Sequence, residues 1–96
     1  MENYPEISVV IPNIGEKSIL DVVTALNNGS VIPKEIILVL AKSKCLEFNK
    51  SQLESNTRLL HSDEDSQVAQ RILGFKNARC NYVMQLDADI IFKFNT

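Results

Sequence analysis

The sequence predicts an α/β domain in which about four mostly parallel strands form a doubly wound sheet with helices on both faces. Short apolar runs alternate with segments of helical periodicity along all 96 residues. The first two runs, ISVVIP and EIILVLA, are almost continuously apolar, which is typical of strands buried on both faces of a parallel sheet. Because the chain contains no internal repeat, low-complexity tract or linker, we expect residues 1–96 to form a single domain.

The first strand and helix are predicted within residues 6–29. Residues 6–12 form a central strand, which Pro12 is expected to end because proline cannot donate to a ladder. Asn13 and Glu16 have the spacing of a helix N-cap and its reciprocal partner, so we expect the helix to begin there. Gly29 is expected to stop the helix in a left-handed conformation. The apolar face of this helix consists of Ile19, Val22, Val23 and Leu26.

Two further strands are predicted in the middle of the chain. Residues 35–41 repeat the buried-strand pattern after Pro33, and TRLLH at residues 57–61 is expected to form the third strand. Between them, residues 50–55 are expected to form a short helix.

A second long helix and a fourth strand complete the predicted sheet. The helix covers residues 66–79, with Asp65 or Ser66 as its cap. Its apolar face is predicted from the i, i+4, i+7 spacing of Val68, Ile72 and Phe75. NYVMQL at residues 81–86 then returns the chain into the sheet.

Composition and charge exclude several classes of function. Ten basic against twelve acidic residues, without a block of Lys or Arg, argue against a nucleic-acid partner. No apolar stretch approaches the roughly 20 residues of a membrane-spanning helix, and the N-terminus lacks the layout of a signal peptide. We therefore expect no transmembrane segment and a cytoplasmic location, or recruitment by partners to the cytoplasmic face of a membrane. Cys45 and Cys80 are expected to be reduced thiols, and His61 to have a structural role.

The strongest candidates for chemistry are Asp87 and Asp89, which follow the fourth predicted strand. In an open parallel sheet, ligands bind beyond the carboxyl ends of the strands. Side chains at i and i+2 of an extended segment point to the same side, so both carboxylates could bind one Mg²⁺ or Mn²⁺ together with a nucleotide diphosphate. Asp63 and Asp65 have the same spacing, but they precede a helix, where negative charge favours capping and solvation. The residues alone leave a second interpretation open, in which Asp87 and Asp89 end a strand and cap the next turn.

The stretch RILGFKNARCNYVMQLDAD, together with ISVVIP and VIPKEIILV before it, resembles the family 2 nucleotide-sugar glycosyltransferases, which have a Rossmann-like GT-A fold. That family shows an Arg-Asn-x-Gly element, then an alanine, an aromatic residue and a closing Leu-Asp-x-Asp in a fixed register. The chain keeps the register at Arg71, Gly74, Ala78, Tyr82, Leu86, Asp87 and Asp89. The likeness is to the N-terminal, donor-binding portion, so we expect residues 1–96 to be a partial GT-A domain without the acceptor-binding part.

The resemblance implies that Asp87 and Asp89 hold Mg²⁺ or Mn²⁺, which bridges the diphosphate of a UDP- or GDP-sugar. The sugar would be transferred with inversion to an acceptor saccharide or lipid-linked saccharide. The resemblance also implies that Pro12 and Asn13 line the nucleoside end of the site, and that Arg71 and Asp87 contact the donor. The catalytic base is not found in this chain, since only IIFKFNT follows Asp89.

The chain departs from the family pattern at several positions. Leu40 and Ala41 stand where an acidic residue usually contacts the nucleobase, and Ile14 and Gly15 replace an aromatic residue and an asparagine. Ile72 replaces the asparagine of the Arg-Asn element. These departures keep open an alternative in which the domain is a catalytically inactive binding or interaction module. A phosphatase with an aspartate nucleophile is disfavoured, because such enzymes place the pair after their first strand.

The fourth strand is expected to form an exposed edge. In the family's sheet it lies beside later strands that this chain does not supply. An unpaired edge favours association. We therefore expect a homo-oligomer formed through residues 81–86 or the apolar tail.

Overall fold

The computed structural model describes residues 6–87, which fold into one parallel sheet with a helix on each face. The strands are β1 (Ile7–Asn13), β2 (Glu35–Leu40), β3 (Thr57–His61) and β4 (Tyr82–Gln85). Helix α1 (Ile19–Asn27) follows β1, and helix α2 (Gln67–Asn77) lies between β3 and β4 in the chain. The strand order β3-β2-β1-β4 and the parallel pairing confirm the predicted α/β fold and the central position of β1.

Two apolar layers hold the helices to the sheet. Alternate residues of β1 and β2 face opposite helices because successive side chains of a strand point to opposite faces. One layer consists of Val9, Ile11, Ile36 and Leu38 with Ile19, Val22 and Val23 of α1. The other consists of Val10, Ile37 and Val39 with Leu73 of α2 and Ala78. The predicted apolar face of α1 is thereby confirmed.

Helix α1 begins at Ile19, so the predicted N-cap at Asn13 is wrong. Asn13 is the last residue of β1, and its Oδ1 accepts a hydrogen bond from Gly15 N at 2.9 Å. Glu16 Oε1 accepts another from Ile14 N at 3.1 Å. These bonds close a tight loop in which Gly15 has a φ of 84°, a left-handed conformation that an α-helix excludes. The two side chains therefore build the loop before the helix.

The predicted left-handed stop at Gly29 is also wrong. Helix α1 ends at Asn27, and the N–H of its C-cap Asn28 bonds to carbonyls of the last turn. These bonds satisfy the helix end without a left-handed residue. Among residues 6–87, Gly15 alone has a positive φ.

Strand β1 continues one residue past Pro12, where it was predicted to end. The carbonyl of Val10 faces β4, whereas the carbonyl of Asn13 faces β2. The backbone of Pro12 faces β4, as that of Val10 does. Val10 is the last residue of β1 that pairs with β4, so the missing N–H of Pro12 costs no hydrogen bond of the sheet.

The remaining elements agree with their predictions to within a few residues. Strand β3 has the predicted bounds, and β2 and β4 are shorter than predicted. The short helix predicted around residues 50–55 is a 3-10 turn over Lys50–Gln52. Within residues 6–87, no helix is long and apolar enough to span a membrane.

Helix α2 has the cap that the sequence predicts but not the predicted buried side. Ser66 Oγ accepts a hydrogen bond from Ala69 N at 3.3 Å. Val68, Ile72 and Phe75 are 60%, 48% and 47% exposed, so the predicted apolar face does not pack on the sheet. The helix approaches the sheet at Gly74, where an added Cβ would lie 2.3 Å from a methyl carbon of Val10. Close approach of a small residue decides which side of α2 is buried.

A carboxylate network joins β1, β2 and β3 at their amino ends to the segment that leads into β4. Glu35 Oε2 accepts hydrogen bonds from Ser8 Oγ at 2.6 Å and from Arg79 N at 2.7 Å, and its Oε1 accepts one from Arg58 Nη2 at 3.1 Å. Burial raises the pKa of Glu35, but these donors and the charge of Arg58 outweigh that effect and hold the pKa below its usual value. The network thus fixes the start of β2 to β1, to β3 and to the segment that leads into β4.

Strand β4 is an edge strand within the described part of the chain. It pairs with β1 on one side and with no other described strand. Tyr82, Val83 and Met84 are all exposed on it. The apolar tail, the other surface expected to associate, lies outside the described residues.

We expect this edge to form a homo-oligomer, which Met84→Lys should weaken because a charged residue on an edge strand opposes strand pairing. Light scattering at several concentrations measures the effect as a shift towards the monomer mass. Ile32→Lys is the control, since Ile32 is an exposed apolar residue that precedes β2. A protein that stays monomeric at all concentrations would refute the prediction.

Candidate functional site

A cleft of about 380 Å³ lies at the carboxyl ends of the strands. This is the edge of a parallel sheet at which ligands usually bind. The cleft is lined by Pro12, Asn13, Ile14, Glu16, Gln67, Gln70 and Asp87. Three residues that the sequence predicted for the site, Pro12, Asn13 and Asp87, therefore share one cleft.

Asp87 is held at the cleft by the end of β4. The N–H of Leu86 donates to the carbonyl of Val10 at 3.0 Å and extends the pairing with β1 by one residue. The exposed carboxylate of Asp87 accepts one hydrogen bond, from Gln85 Nε2 to Oδ1 at 3.0 Å. Asp89, its predicted partner, lies outside the described residues.

The carboxylate of Asp87 is chemically suited to be one ligand of a magnesium or manganese ion. Its oxygens are hard donors, and Mg²⁺ is commonly held by one or two carboxylates with phosphate and water completing the shell. Among residues 6–87, no three His, Cys, Asp or Glu side chains are grouped closely enough to hold a metal ion by themselves.

The loop from β1 to α1 is braced by the segment that follows β2. Glu47 N donates to the carbonyl of Gly15 at 2.8 Å, and Glu47 Oε1 accepts from Lys17 N at 3.1 Å. The amide of Asn13 adds a bond from Nδ2 to the carbonyl of Ile11 at 3.1 Å. The backbone at this side of the cleft is therefore fixed before any ligand binds.

Gln70 is a site residue that the sequence interpretation missed. It is only 4% exposed, and its Nε2 donates to the carbonyl of Asn13 at 3.0 Å and to that of Val39 at 2.7 Å. The side chain thus connects α2 to the ends of β1 and β2. The sequence feature that could have identified Gln70 is its position four residues before Gly74, which places both residues on the side of the helix that packs on the sheet.

Arg71 lies on α2 and is not among the residues that line the cleft. Its Nη2 donates to Gln67 Oε1 at 3.3 Å, and its Nε is buried without a hydrogen-bond partner among residues 6–87. A contact between Arg71 and the donor stays a prediction.

The end of β2 presents no acidic side chain to the cleft, because its residues there are Leu40 and Ala41, and both are buried. The loop that follows is tied down by Asp65, whose Oδ1 accepts from Ser43 N at 2.8 Å. This hydrogen bond, with a side-chain bond from Ser43 and the nearby lysine charges, lowers the pKa of Asp65. Asp65 therefore holds the loop, whereas Ser66 caps α2. His61 is exposed at the end of β3.

Comparison with protein-family models gives a match over most of the chain. The model of the family described as glycosyl transferase family 2 matches residues 8–96, which include all of β1 except Ile7, the cleft residues and both Asp87 and Asp89. No curated protein and no solved structure gives a significant match.

Proposed function

The chain belongs to glycosyl transferase family 2, and on this premise we propose that it binds a nucleotide-diphospho-sugar through a divalent cation held by Asp87 and Asp89. The observation that carries the proposal is the position of the Asp87 carboxylate in the cleft beside Pro12 and Asn13. A diphosphate bound to the cation would place its nucleoside along the end of β1.

The proposed transfer uses Pro12, Asn13 and Asp87 of the cleft together with Asp89. Asp87 and Asp89 bind and orient the donor through Mg²⁺ or Mn²⁺, and main chain at Pro12 and Asn13 lines the nucleoside. When bound, the cation would supply positive charge to stabilise the departing UDP or GDP. An acceptor saccharide or lipid-linked saccharide would receive the sugar with inversion, and its hydroxyl proton requires a base that we do not assign among residues 6–87.

A catalytically inactive binding or interaction module is the second candidate. The observation that favours it is the burial of Leu40 and Ala41, which leaves the end of β2 without an acidic contact for the nucleobase. Such a module would fold in the same way but would not couple nucleotide binding to a metal.

We expect UDP or GDP to bind at least about tenfold more tightly with Mn²⁺ than without it, a difference of about 1.4 kcal/mol in binding free energy. Asp89→Ala should abolish this metal dependence, because it removes one carboxylate from the cation. Isothermal titration calorimetry of each nucleotide, with Mn²⁺ and with EDTA, provides the measurement.

Asp63→Asn is the matched control, since Asp63 belongs to the other Asp-x-Asp spacing and is exposed. This variant should keep the full metal dependence. Nucleotide binding that is absent, or that EDTA leaves unchanged, in a folded protein would favour the interaction module.

A further inference from the structure

The nucleobase end of the cleft needs a polar side chain from an element other than β2. Leu40 and Ala41 are buried and offer only main chain. Gln70 of α2 reaches the ends of β1 and β2 and lines the same cleft as Asp87. Strand β1 separates β2 from β4 in the sheet, so Gln70 and Asp87 reach the cleft from opposite sides of β1.

Hydrogen bonding fixes the orientation of the Gln70 amide. Both recorded bonds end on backbone carbonyls, of Asn13 and Val39, so the atom that faces them must be the NH₂ group. Both hydrogens of Nε2 are then used. Within residues 6–87, no donor bonds to Oε1, and the Gln70 side chain lines the cleft. Oε1 is therefore the atom of this amide that a ligand in the cleft can meet, and it can only accept.

Ile14 supplies an apolar surface beside this acceptor. Its side chain lines the cleft and is 54% exposed, and its backbone is held by the bond from Ile14 N to Glu16 Oε1. A planar base can lie against such a surface while its edge meets a buried amide.

We propose that Gln70 Oε1 reads the nucleobase by accepting a hydrogen bond from a ring N–H. Uracil N3–H and guanine N1–H are such donors, whereas the equivalent ring nitrogens of cytosine and adenine are acceptors and would face Oε1 without a hydrogen. The inference rests on the proposed function and names the class of donor that the cleft selects, a uridine or guanosine diphosphate sugar. The selection arises because a base held with its ring nitrogen against Oε1 leaves this acceptor unpaired when that nitrogen carries no hydrogen.

The test begins with the unaltered protein and changes the ligand. UDP and GDP are titrated with Mn²⁺, which shows which of the two bases the cleft takes, and the tighter one is compared with its ring-N-methyl derivative, N3-methyl-UDP or N1-methyl-GDP. We expect methylation to weaken binding about tenfold or more.

Substitutions then identify the residue. Gln70→Met should remove the difference between the methylated and unmethylated nucleotides. Gln67→Met, which removes an amide from the same cleft one turn earlier on α2, should keep it. Thermal melting shows whether Gln70→Met folds, and if it does not, the ligand comparison on the unaltered protein decides alone.

The outcomes separate this inference from the proposed function. Equal binding of a nucleotide and its methylated form, both dependent on Mn²⁺, overturns the role of Gln70 and leaves the proposed function standing. Absence of metal-dependent binding by every nucleotide overturns both.

Discussion

Glu35→Ala is expected to lower the free energy of unfolding by about 3–5 kcal/mol, because it removes the more buried partner of an ion pair and the acceptor of two further hydrogen bonds. The side chain of Glu35 is 9% exposed and that of Arg58 is 28% exposed, so the guanidinium would stay partly buried with the carbonyl of Asn77, at 2.6 Å, as its remaining acceptor. Ser8 Oγ and Arg79 N would lose their acceptor as well. Because a domain of this size is stable by only about 5–15 kcal/mol, the loss is a large part of the total.

Urea unfolding followed by circular dichroism measures this loss. The control is Glu6→Ala, which breaks the ion pair between Lys34 Nζ and Glu6 Oε2 at 3.7 Å, where both side chains are about two-thirds exposed. An exposed pair of this kind contributes about 0–1 kcal/mol. Equal effects of the two substitutions would show that burial does not set the strength of the Glu35 network.

The same network gives the stability a pH dependence with a defined sign. The pKa of Glu35 is lower in the folded state than its ordinary value of 4.5. Its contribution is therefore fully present above about pH 4.5 and is lost as the pH falls through the lower, folded-state pKa. Glu35→Gln should remove this part of the acid sensitivity, and the remainder should include Asp65, whose pKa is lowered in the same direction.

Gly15→Ala is expected to destabilise the protein by about 2–4 kcal/mol, since it combines backbone strain with overpacking. The φ of 84° is costly for a residue with a Cβ, and that Cβ would lie 2.3 Å from the carbonyl oxygen of Cys45. The main chain cannot rotate away as a long side chain could. The loop that carries Ile14 and Glu16 must therefore shift, and Mn²⁺-dependent nucleotide binding should weaken together with stability.

Gly29→Ala is the matched control for this substitution. Gly29 has no positive φ, and an added Cβ would lie 3.6 Å from the carbonyl oxygen of Leu26, an ordinary contact. At such a position alanine stabilises a protein by about 0.4–1 kcal/mol through the unfolded state. Denaturant melts of the two variants should therefore shift in opposite directions, and a neutral Gly15→Ala would contradict the loop geometry.

The sheet was predictable because buried parallel strands leave a strong local signal. ISVVIP and EIILVLA are continuous apolar runs, and the structure places β1 and β2 within one residue of them. The sides of the helices were harder to predict. For α2, the spacing of Val68, Ile72 and Phe75 indicates a helix but does not show which side of it packs on the sheet. In the structure the side that carries Gly74 packs there, because glycine allows the closest approach. The N-cap predicted at Asn13 was wrong because side-chain acceptors such as those of Asn13 and Glu16 can close a loop as well as cap a helix.

The candidate site was predictable where residues follow directly from strand ends. Pro12, Asn13 and Asp87 meet in one cleft because parallel strands bring their carboxyl ends to one edge. Gln70 could not be assigned in the same way. Its partners are main-chain carbonyls of Asn13 and Val39, far away in sequence, and no local pattern shows which carbonyls a folded chain leaves open.

The position of the Glu35 network at the amino end of β2 has a consequence for variation in this domain. Strand β2 runs from Glu35 to Leu40, about 20 Å at roughly 3.3 Å per residue, and the Glu35 network and the cleft at its opposite end share no side chains. Perturbations this far apart are nearly additive. Mutations that change ligand specificity at the carboxyl ends of the strands can therefore accumulate without weakening the Glu35 network at the amino ends. The fold can thus be kept while the binding site changes.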